Sequence, residues 1–68
     1  MIEFPAKGST RIERFEFEPE SKTLRIFYFG GRIESCDDIP PRFAELLRES
    51  DKPDLMLINF VKPQSNCS

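Results

Sequence analysis

The sequence contains no histidine, and this absence limits the chemistry open to the protein. Histidine is the commonest general base in enzymes and the commonest metal ligand, because its ring changes charge near neutral pH. Without it, acid–base catalysis and zinc binding both lose their usual residue. We therefore predict a protein that is not an enzyme and that has no metal site, no cofactor and no small-molecule substrate.

Cysteine is scarce, because the sequence has only Cys36 and Cys67. Such a pattern is neither a disulfide framework nor a cluster of metal ligands. We predict two free thiols, as is usual inside cells. The acidic neighbours of Cys36, which are Glu34, Asp37 and Asp38, disfavour the thiolate form, so a reactive nucleophile is not expected there.

Long apolar stretches and an excess of positive charge are also missing. No stretch approaches the roughly 20 apolar residues that a membrane span needs, and the N-terminal residues lack the basic-then-apolar order of a signal peptide. Both absences predict a cytoplasmic protein with no membrane partner. Ten Lys and Arg against twelve Asp and Glu give a formal charge of −2. A protein that grips nucleic-acid backbones non-specifically is usually distinctly basic, so only a local basic patch would serve for such binding.

The length of 68 residues suits one small domain. A chain of this size buries only about 60% of the surface that it exposes when unfolded, so its margin of stability is thin. Seven phenylalanines supply much of its apolar area. We expect residues 9–62 to form the domain, residues 1–8 to be a leader that is loose or docks by Phe4, and residues 63–68 to be a tail.

The first predicted strand covers residues 10–18. Phe15 and Phe17 alternate with glutamates there, which is the period-two pattern of a half-buried strand. Ile12 is out of phase with this pair, which is what a β-bulge or an early change of facing would produce. Residues 18–21 follow as a turn, because their proline presets the backbone angle that a turn needs.

Two further strands complete a predicted meander. Residues 24–29 form the second strand, and Gly30 and Gly31 form a two-residue hairpin connection, because glycine readily adopts the positive φ angles of such a turn. Residues 32–36 form a shorter third strand. The three strands together predict an antiparallel β-meander.

Helices are predicted after the meander. Asp37 and Asp38 are short acidic residues suited to capping a helix at 40–49, whose apolar residues fall at helical spacing. Residues 55–61 are apolar on every side and buried in either form, and they form a short C-terminal helix or a fourth strand; Pro53 favours the helix. The predicted class is α+β, with one helix packed on a three-stranded meander.

The second strand has apolar side chains on both of its faces. If the helix covers Leu24 and its neighbours at alternate positions, then Phe27 and Phe29 face the other way. A sheet with one covered face should not leave two phenylalanines in water. The candidate covers are the leader with Phe4, the C-terminal stretch and a second copy of the protein.

Two kinds of partner fit this face. Arginines lie close to both phenylalanines in the sequence, and aromatic rings beside arginine are used to stack single-stranded bases. The candidate RNA-binding residues are Arg25, Phe27, Phe29 and Arg32, with Arg11 and Arg14 as neighbours on the adjoining strand. The alternative is a protein partner or a homodimer held together through the face of Phe27 and Phe29.

The spacing of several short motifs resembles that of the KTSC domain. These motifs are Ser9-x-x-Ile12, Phe15-x-Phe17-Glu18, Leu24-x-Ile26-x-Tyr28-x-x-Gly31 and Ile39-Pro40-x-x-Phe43. The KTSC domain is a small module at the C-terminus of some lysyl-tRNA synthetases, and it also occurs alone in bacterial proteins. The resemblance implies the same fold and a contact with RNA. The tyrosine-x-tyrosine motif of the family would fall on Glu34 and Cys36, where this sequence has no tyrosine.

Overall fold

An antiparallel sheet of five strands, in the spatial order β1-β2-β3-β4-β5, forms one layer of the computed structural model, which describes residues 1–67. The strands are β1 (Ile2–Pro5), β2 (Ile12–Glu18), β3 (Thr23–Tyr28), β4 (Ile33–Asp37) and β5 (Asn66–Cys67). The helices are α1 (Pro41–Glu49) and α2 (Pro53–Met56), and α2 continues through a π-helical turn (Leu57–Val61) and a 3-10 turn (Lys62–Gln64). The predicted α+β class is correct.

The predicted bulge lies in β2. Phe15 of β2 pairs with Ile26 of β3, and the register between the two strands shifts between Ile12 and Arg14. Strict alternation from Phe15 would turn Ile12 away from the core, but the additional residue restores it, and its side chain is buried. The out-of-phase isoleucine was therefore a correct sign of the bulge.

The hairpin between β3 and β4 differs from the prediction by one residue. The Tyr28 N–H donates to the carbonyl of Arg32 across 2.8 Å, so that three residues, Phe29, Gly30 and Gly31, form the connection instead of two. Both glycines have the positive φ angles expected of them, 98° and 94°. The extra residue is Phe29, which consequently lies in the turn rather than at the end of a strand.

The core lies between one face of the sheet and the helices. Its members are Phe4, Ala6, Ile12, Phe15, Phe17, Leu24, Ile26, Cys36, Ile39, Phe43, Ala44, Leu47, Leu57 and Val61. Phe43 and Leu47 are four residues apart on α1 and therefore share one face of that helix. The prediction that this helix covers the face of Leu24 is confirmed.

The 55–61 stretch is helical, which decides between the two alternatives left open by the sequence. Leu57 and Val61 are fully buried, whereas Leu55, Ile58 and Phe60 are exposed. The expectation that this stretch would be buried throughout was therefore wrong, because one face of a helix on a single-layered sheet remains in solvent. No helix within residues 1–67 combines the length and the apolar character needed to cross a membrane.

The two additional strands, β1 and β5, lie in the segments predicted as leader and tail. Phe4 is buried, with its ring centroid 5.3 Å from that of Phe15, so the leader docks by Phe4 and does so as a strand. Strands of four and two residues are too short to show a period in the sequence. The prediction of three strands was therefore too low. Ser68, in the predicted tail, lies outside the described residues.

Cys36 and Cys67 form a disulfide, which corrects the prediction of two free thiols. They pair directly across β4 and β5, with Cα atoms 4.0 Å apart, although they are separated by 31 positions in the sequence. The prediction failed because the sheet brings together residues that the linear sequence keeps far apart.

The start of α1 also differs from the prediction. The residue at the N-cap is Pro40, and no side chain caps the helix. Pro40 precedes another proline, Pro41, and a residue in that position favours an extended backbone, so the helix begins at Pro41. Asp37 ends β4, and Asp38 adopts a positive φ of 60° in the turn before the helix. Neither aspartate caps α1, because both precede its first turn by too many residues.

The buried face of the C-terminal helix supplies a test of the packing. We expect Leu57→Ala to lower the free energy of unfolding by about 2–5 kcal/mol, because it leaves a cavity at a side chain with no exposed surface. Leu55→Ala is the matched control, since its side chain is 50% exposed and the expected loss is within about 0.5 kcal/mol. Urea denaturation followed by circular dichroism measures both. Equal losses would contradict the assignment of the buried face.

Candidate functional site

The outer face of the sheet, on the side away from the helices, has no covering layer. β1 and β5 extend the sheet at its two edges and do not lie across it. Phe29 and Ile33 are each 57% exposed, and Phe27 is half-buried. The leader and the C-terminal stretch, the two candidate covers within the chain, do not lie across this face.

A guanidinium group shelters Phe27 instead. The Cζ atom of Arg14 lies 3.9 Å from the centroid of the Phe27 ring. Arg14 also forms ion pairs with three glutamates, at 3.4 Å to Glu3, 3.1 Å to Glu13 and 3.7 Å to Glu16. A cation over an aromatic face is attracted by the electrons of the ring, and the long arginine side chain covers apolar surface. Phe27 is therefore occupied by its own chain, whereas Phe29 is free.

Of the four candidate binding residues, the structure brings Phe27, Phe29 and Arg32 together around the β3–β4 turn and leaves Arg25 apart from them. Arg25 lies on the outer face, paired across the sheet with Glu16 and Ser35. Arg32 lies on the helix side, with its Cζ atom 4.9 Å from the centroid of the Tyr28 ring. Arg25 is therefore remote from the turn that carries Phe29 and from the place where Arg32 lies.

A cavity of about 520 Å³ opens at the end of the sheet beside the β3–β4 turn. We call it the end cavity; its lining residues are Thr10, Arg11, Ile12, Tyr28, Phe29, Arg32, Asp54, Ile58 and Lys62. Three of them are cations and one is a carboxylate. The cavity unites Phe29 and Arg32 of the predicted site with Arg11, which was predicted only as a neighbour, and with Lys62, which was missed.

Arg11 and Phe29 are adjacent through their backbones. The Phe29 N–H donates to the carbonyl of Arg11 across 2.9 Å, just beyond the last paired residues of β2 and β3. Arg11 forms no ion pair within residues 1–67. The fold thus holds the backbones of these two residues together, and both residues line the end cavity.

A buried carboxylate that does not itself line the end cavity bonds to three residues that do, Tyr28, Arg32 and Lys62. Glu34 is 8% exposed, and Lys62 Nζ donates to its two carboxylate oxygens at 2.9 and 3.1 Å. The Tyr28 hydroxyl donates to Glu34 Oε1 across 2.8 Å, and Arg32 lies 3.5 Å from Oε2. A charge removed from water is costly unless it has such partners. This network binds β3, β4 and the C-terminal helix together at the end cavity.

The network lowers the pKa of Glu34 and raises that of Tyr28. Burial alone would raise the pKa of Glu34, but the hydrogen bonds from Lys62 and Tyr28, together with the charges of Lys62 and Arg32, hold it below its ordinary value. Burial, together with the bond to Glu34 and its negative charge, raises the pKa of Tyr28 to about 12, although the charge of Arg32 opposes this. At neutral pH Glu34 is ionised and Tyr28 is a protonated donor.

Sequence reasoning had no direct signal for this network. Glu34 and its partner Lys62 lie 28 positions apart in the sequence. The one general rule that applies is that a polar residue facing the core needs a partner, but this rule does not say which residue the partner is. Within residues 1–67, no group of three or more acidic, cysteine or histidine side chains is arranged to hold a metal ion.

The single tyrosine provides a spectroscopic test of the network. Because the pKa of Tyr28 is raised to about 12, the contribution of its neutral form to stability is complete below pH 10 and is lost as the pH rises toward 12. We expect a pH jump, read by tyrosinate absorbance before unfolding, to give a midpoint well above 10, and urea-unfolded protein to titrate near 10. Glu34→Gln should lower the folded midpoint, and Glu45→Gln on α1 should not. A folded midpoint near 10 would contradict the network.

The comparisons with known proteins come from structure rather than from sequence. No protein-family model matches the chain, and no curated protein matches it. The crystal structure of a KTSC domain protein from Yersinia pestis is similar to it, with a TM-score of 0.85 and 16% identity, over 98% of this chain and 93% of that one. At an identity this low, the similarity shows the fold alone. The similarity of the two structures confirms the fold implied by the motif spacing. This chain has the fold of the KTSC domain.

Proposed function

We propose that this chain is a non-catalytic module that contacts single-stranded RNA at the end cavity. The observation that carries the proposal is the exposed Phe29 ring, which lines this cavity together with Arg11 and Arg32. Base stacking on an aromatic ring, with arginines nearby for the phosphates, is the usual way in which proteins hold single-stranded nucleic acid.

The backbone supports this assignment by restricting where the two groups lie. Phe29 is held in the turn by its hydrogen bond to Arg11 and by the neighbouring glycines, whose φ angles are positive. A ring placed by the backbone loses little conformational freedom when a base stacks on it. Arg11 has no ion pair within the described residues and presents a planar guanidinium that suits a phosphate.

The distribution of charge favours a short contact. The whole chain has a formal charge of −2, and glutamates surround Arg14 on the outer face. The cations of the end cavity stand apart from that acidic surface, and two of them share the buried Glu34. We therefore expect a contact of a few nucleotides, with modest affinity and a shallow dependence on salt.

The chemistry of the site supports binding rather than catalysis. A catalytic acid or base works best with a pKa near the working pH. The pKa of Tyr28 is raised to about 12 and that of Glu34 is lowered, so both groups keep one protonation state around neutrality. We propose that they position the cavity wall and transfer no proton.

RNA titration tests the proposal. We expect a short fluorescent single-stranded RNA to bind at low salt, and Phe29→Ala to weaken binding roughly fivefold to 150-fold through the loss of stacking, with Phe29→Tyr retaining it. Arg11→Ala should weaken binding and reduce the salt slope by about 0.7. Fluorescence anisotropy measures each affinity.

The matched control is Arg48→Ala, which removes an exposed arginine from α1 that does not line the end cavity. Its affinity should equal that of the wild type. Absence of binding at low salt, or equal losses in Arg48→Ala and Arg11→Ala, would remove the end cavity as an RNA site.

A second candidate function is self-association through the outer face. Its support is Ile33, which pairs with Phe27 across the sheet and is as exposed as Phe29. An aliphatic side chain adds nothing to base stacking but gains free energy when a protein surface covers it. The outer face, rather than the end cavity, would then form the contact between two copies of the chain.

Sedimentation equilibrium distinguishes this second candidate. If the wild type dimerises through the outer face, Ile33→Ser should shift the equilibrium toward the monomer, and Leu46→Ser, at a half-exposed position on α1, should leave it unchanged. A wild type that is monomeric at all accessible concentrations would remove self-association, and it would leave the RNA proposal intact.

A further inference from the structure

We infer that the Cys36–Cys67 disulfide is a redox-sensitive clasp that holds one wall of the end cavity in place. This inference rests on the proposed function, because the binding that the disulfide would regulate is the binding of RNA. It concerns a covalent link that contributes no atom to the lining of the cavity.

The clasp acts on a very short strand. Within residues 1–67, β5 has two residues, and it pairs with β4 through Cys36 with Cys67 and Asp37 with Asn66. So short a pairing contributes few hydrogen bonds, and short strands without other support are marginal in water. The disulfide is therefore the main restraint that holds β5 against the sheet.

The same two elements meet at the end cavity. β4 supplies Glu34, and the C-terminal segment, residues 53–67, supplies Lys62, whose amine bonds to Glu34. The disulfide joins β4 to this segment a second time, through side chains on the same face of β4 as Glu34. On its N-terminal side Lys62 is held by its backbone N–H bond to the Leu57 carbonyl, and its amine bonds to Glu34. The disulfide adds the restraint on its C-terminal side.

The rest of the C-terminal segment has its own anchors. Leu57 and Val61 are fully buried in the core, and the Phe60 ring lies 5.0 Å from that of Phe43, centroid to centroid. These contacts do not involve the disulfide. Its reduction should therefore loosen residues 62–67 and leave the sheet and α1 folded.

The two sulfur atoms differ in access. Cys36 is fully buried, and Cys67 is partly exposed. A dithiol reductant would attack through its thiolate at the Cys67 sulfur, forming a mixed disulfide and expelling Cys36 as a thiolate that takes up a proton. The second thiol of the reductant then displaces Cys67, which leaves as a thiol once protonated. The protein gains two electrons and two protons, and the dithiol becomes a disulfide.

A reversible disulfide also reconciles two features of this chain. The sequence predicts a cytoplasmic protein, and cytoplasmic disulfides are commonly transient or redox-sensing. The redox state of the clasp would then set the affinity for RNA: the oxidised chain has a fixed cavity wall, and the reduced chain has a mobile one. Ordering that wall on binding costs free energy, so the reduced form should bind more weakly.

The experiment compares the oxidised full chain, the chain treated with dithiothreitol, and Cys67→Ser. Hydrogen exchange should become faster in residues 62–67 on reduction while the amides of β2 and β3 keep their protection. The affinity for the short RNA should fall roughly fivefold or more, which is a common size for coupling between sites. Cys67→Ser should behave as the reduced chain and should not respond to dithiothreitol.

The outcomes separate the two proposals. Unchanged exchange at residues 62–67 would overturn the clasp, and loss of protection throughout β2 and β3 would also overturn it, because the disulfide would then support the whole fold. Faster local exchange with unchanged RNA affinity would overturn the regulatory consequence. If the oxidised chain binds no RNA, the proposed function fails and regulation of RNA binding fails with it, but the exchange data still decide whether the disulfide is a local clasp.

Discussion

Glu34 is a carboxylate on the core side of a sheet, and a charge in that position must be satisfied by the protein itself. The partners that satisfy it come from three parts of the chain: Tyr28 from β3, Arg32 from the position just before β4, and Lys62 from the C-terminal helical region. Their convergence fixes where the last helical turn meets the sheet. The end cavity lies beside this convergence, and the same three residues line it.

The parts of the fold that sequence reasoning found are those determined by local pattern. Alternation around Phe15 and Phe17 predicted β2, and the glycine pair predicted the sharp turn after β3. The parts that it missed depend on contacts between distant residues. The pairing of Cys36 with Cys67 spans 31 positions, and the Lys62–Glu34 contact spans 28. No period or spacing in the sequence records such a contact.

The same division applies to the candidate site. Phe29 and Arg32 were identified from their neighbourhood in the sequence, and both line the end cavity. Arg25 was chosen for the same reason, but alternation along β3 and the register with β2 place it beside Glu16. Arg11 is bonded to Phe29 through the backbone, because the two strands stay paired beyond the bulge. Proximity along the chain was a poorer guide than register across the sheet.

The position of Pro5 has a consequence for the free edge of the sheet. Ala6 donates its N–H to Glu13 of the neighbouring strand, so by alternation Phe4 and Ile2 also turn their amides inward, and the outward-facing backbone belongs to Glu3 and Pro5. Proline has no N–H to offer. The outer edge of β1 thus exposes one amide donor beside an acidic side chain, a poor template for a foreign strand. The first strand therefore protects this edge of the sheet from the addition of a strand from another chain.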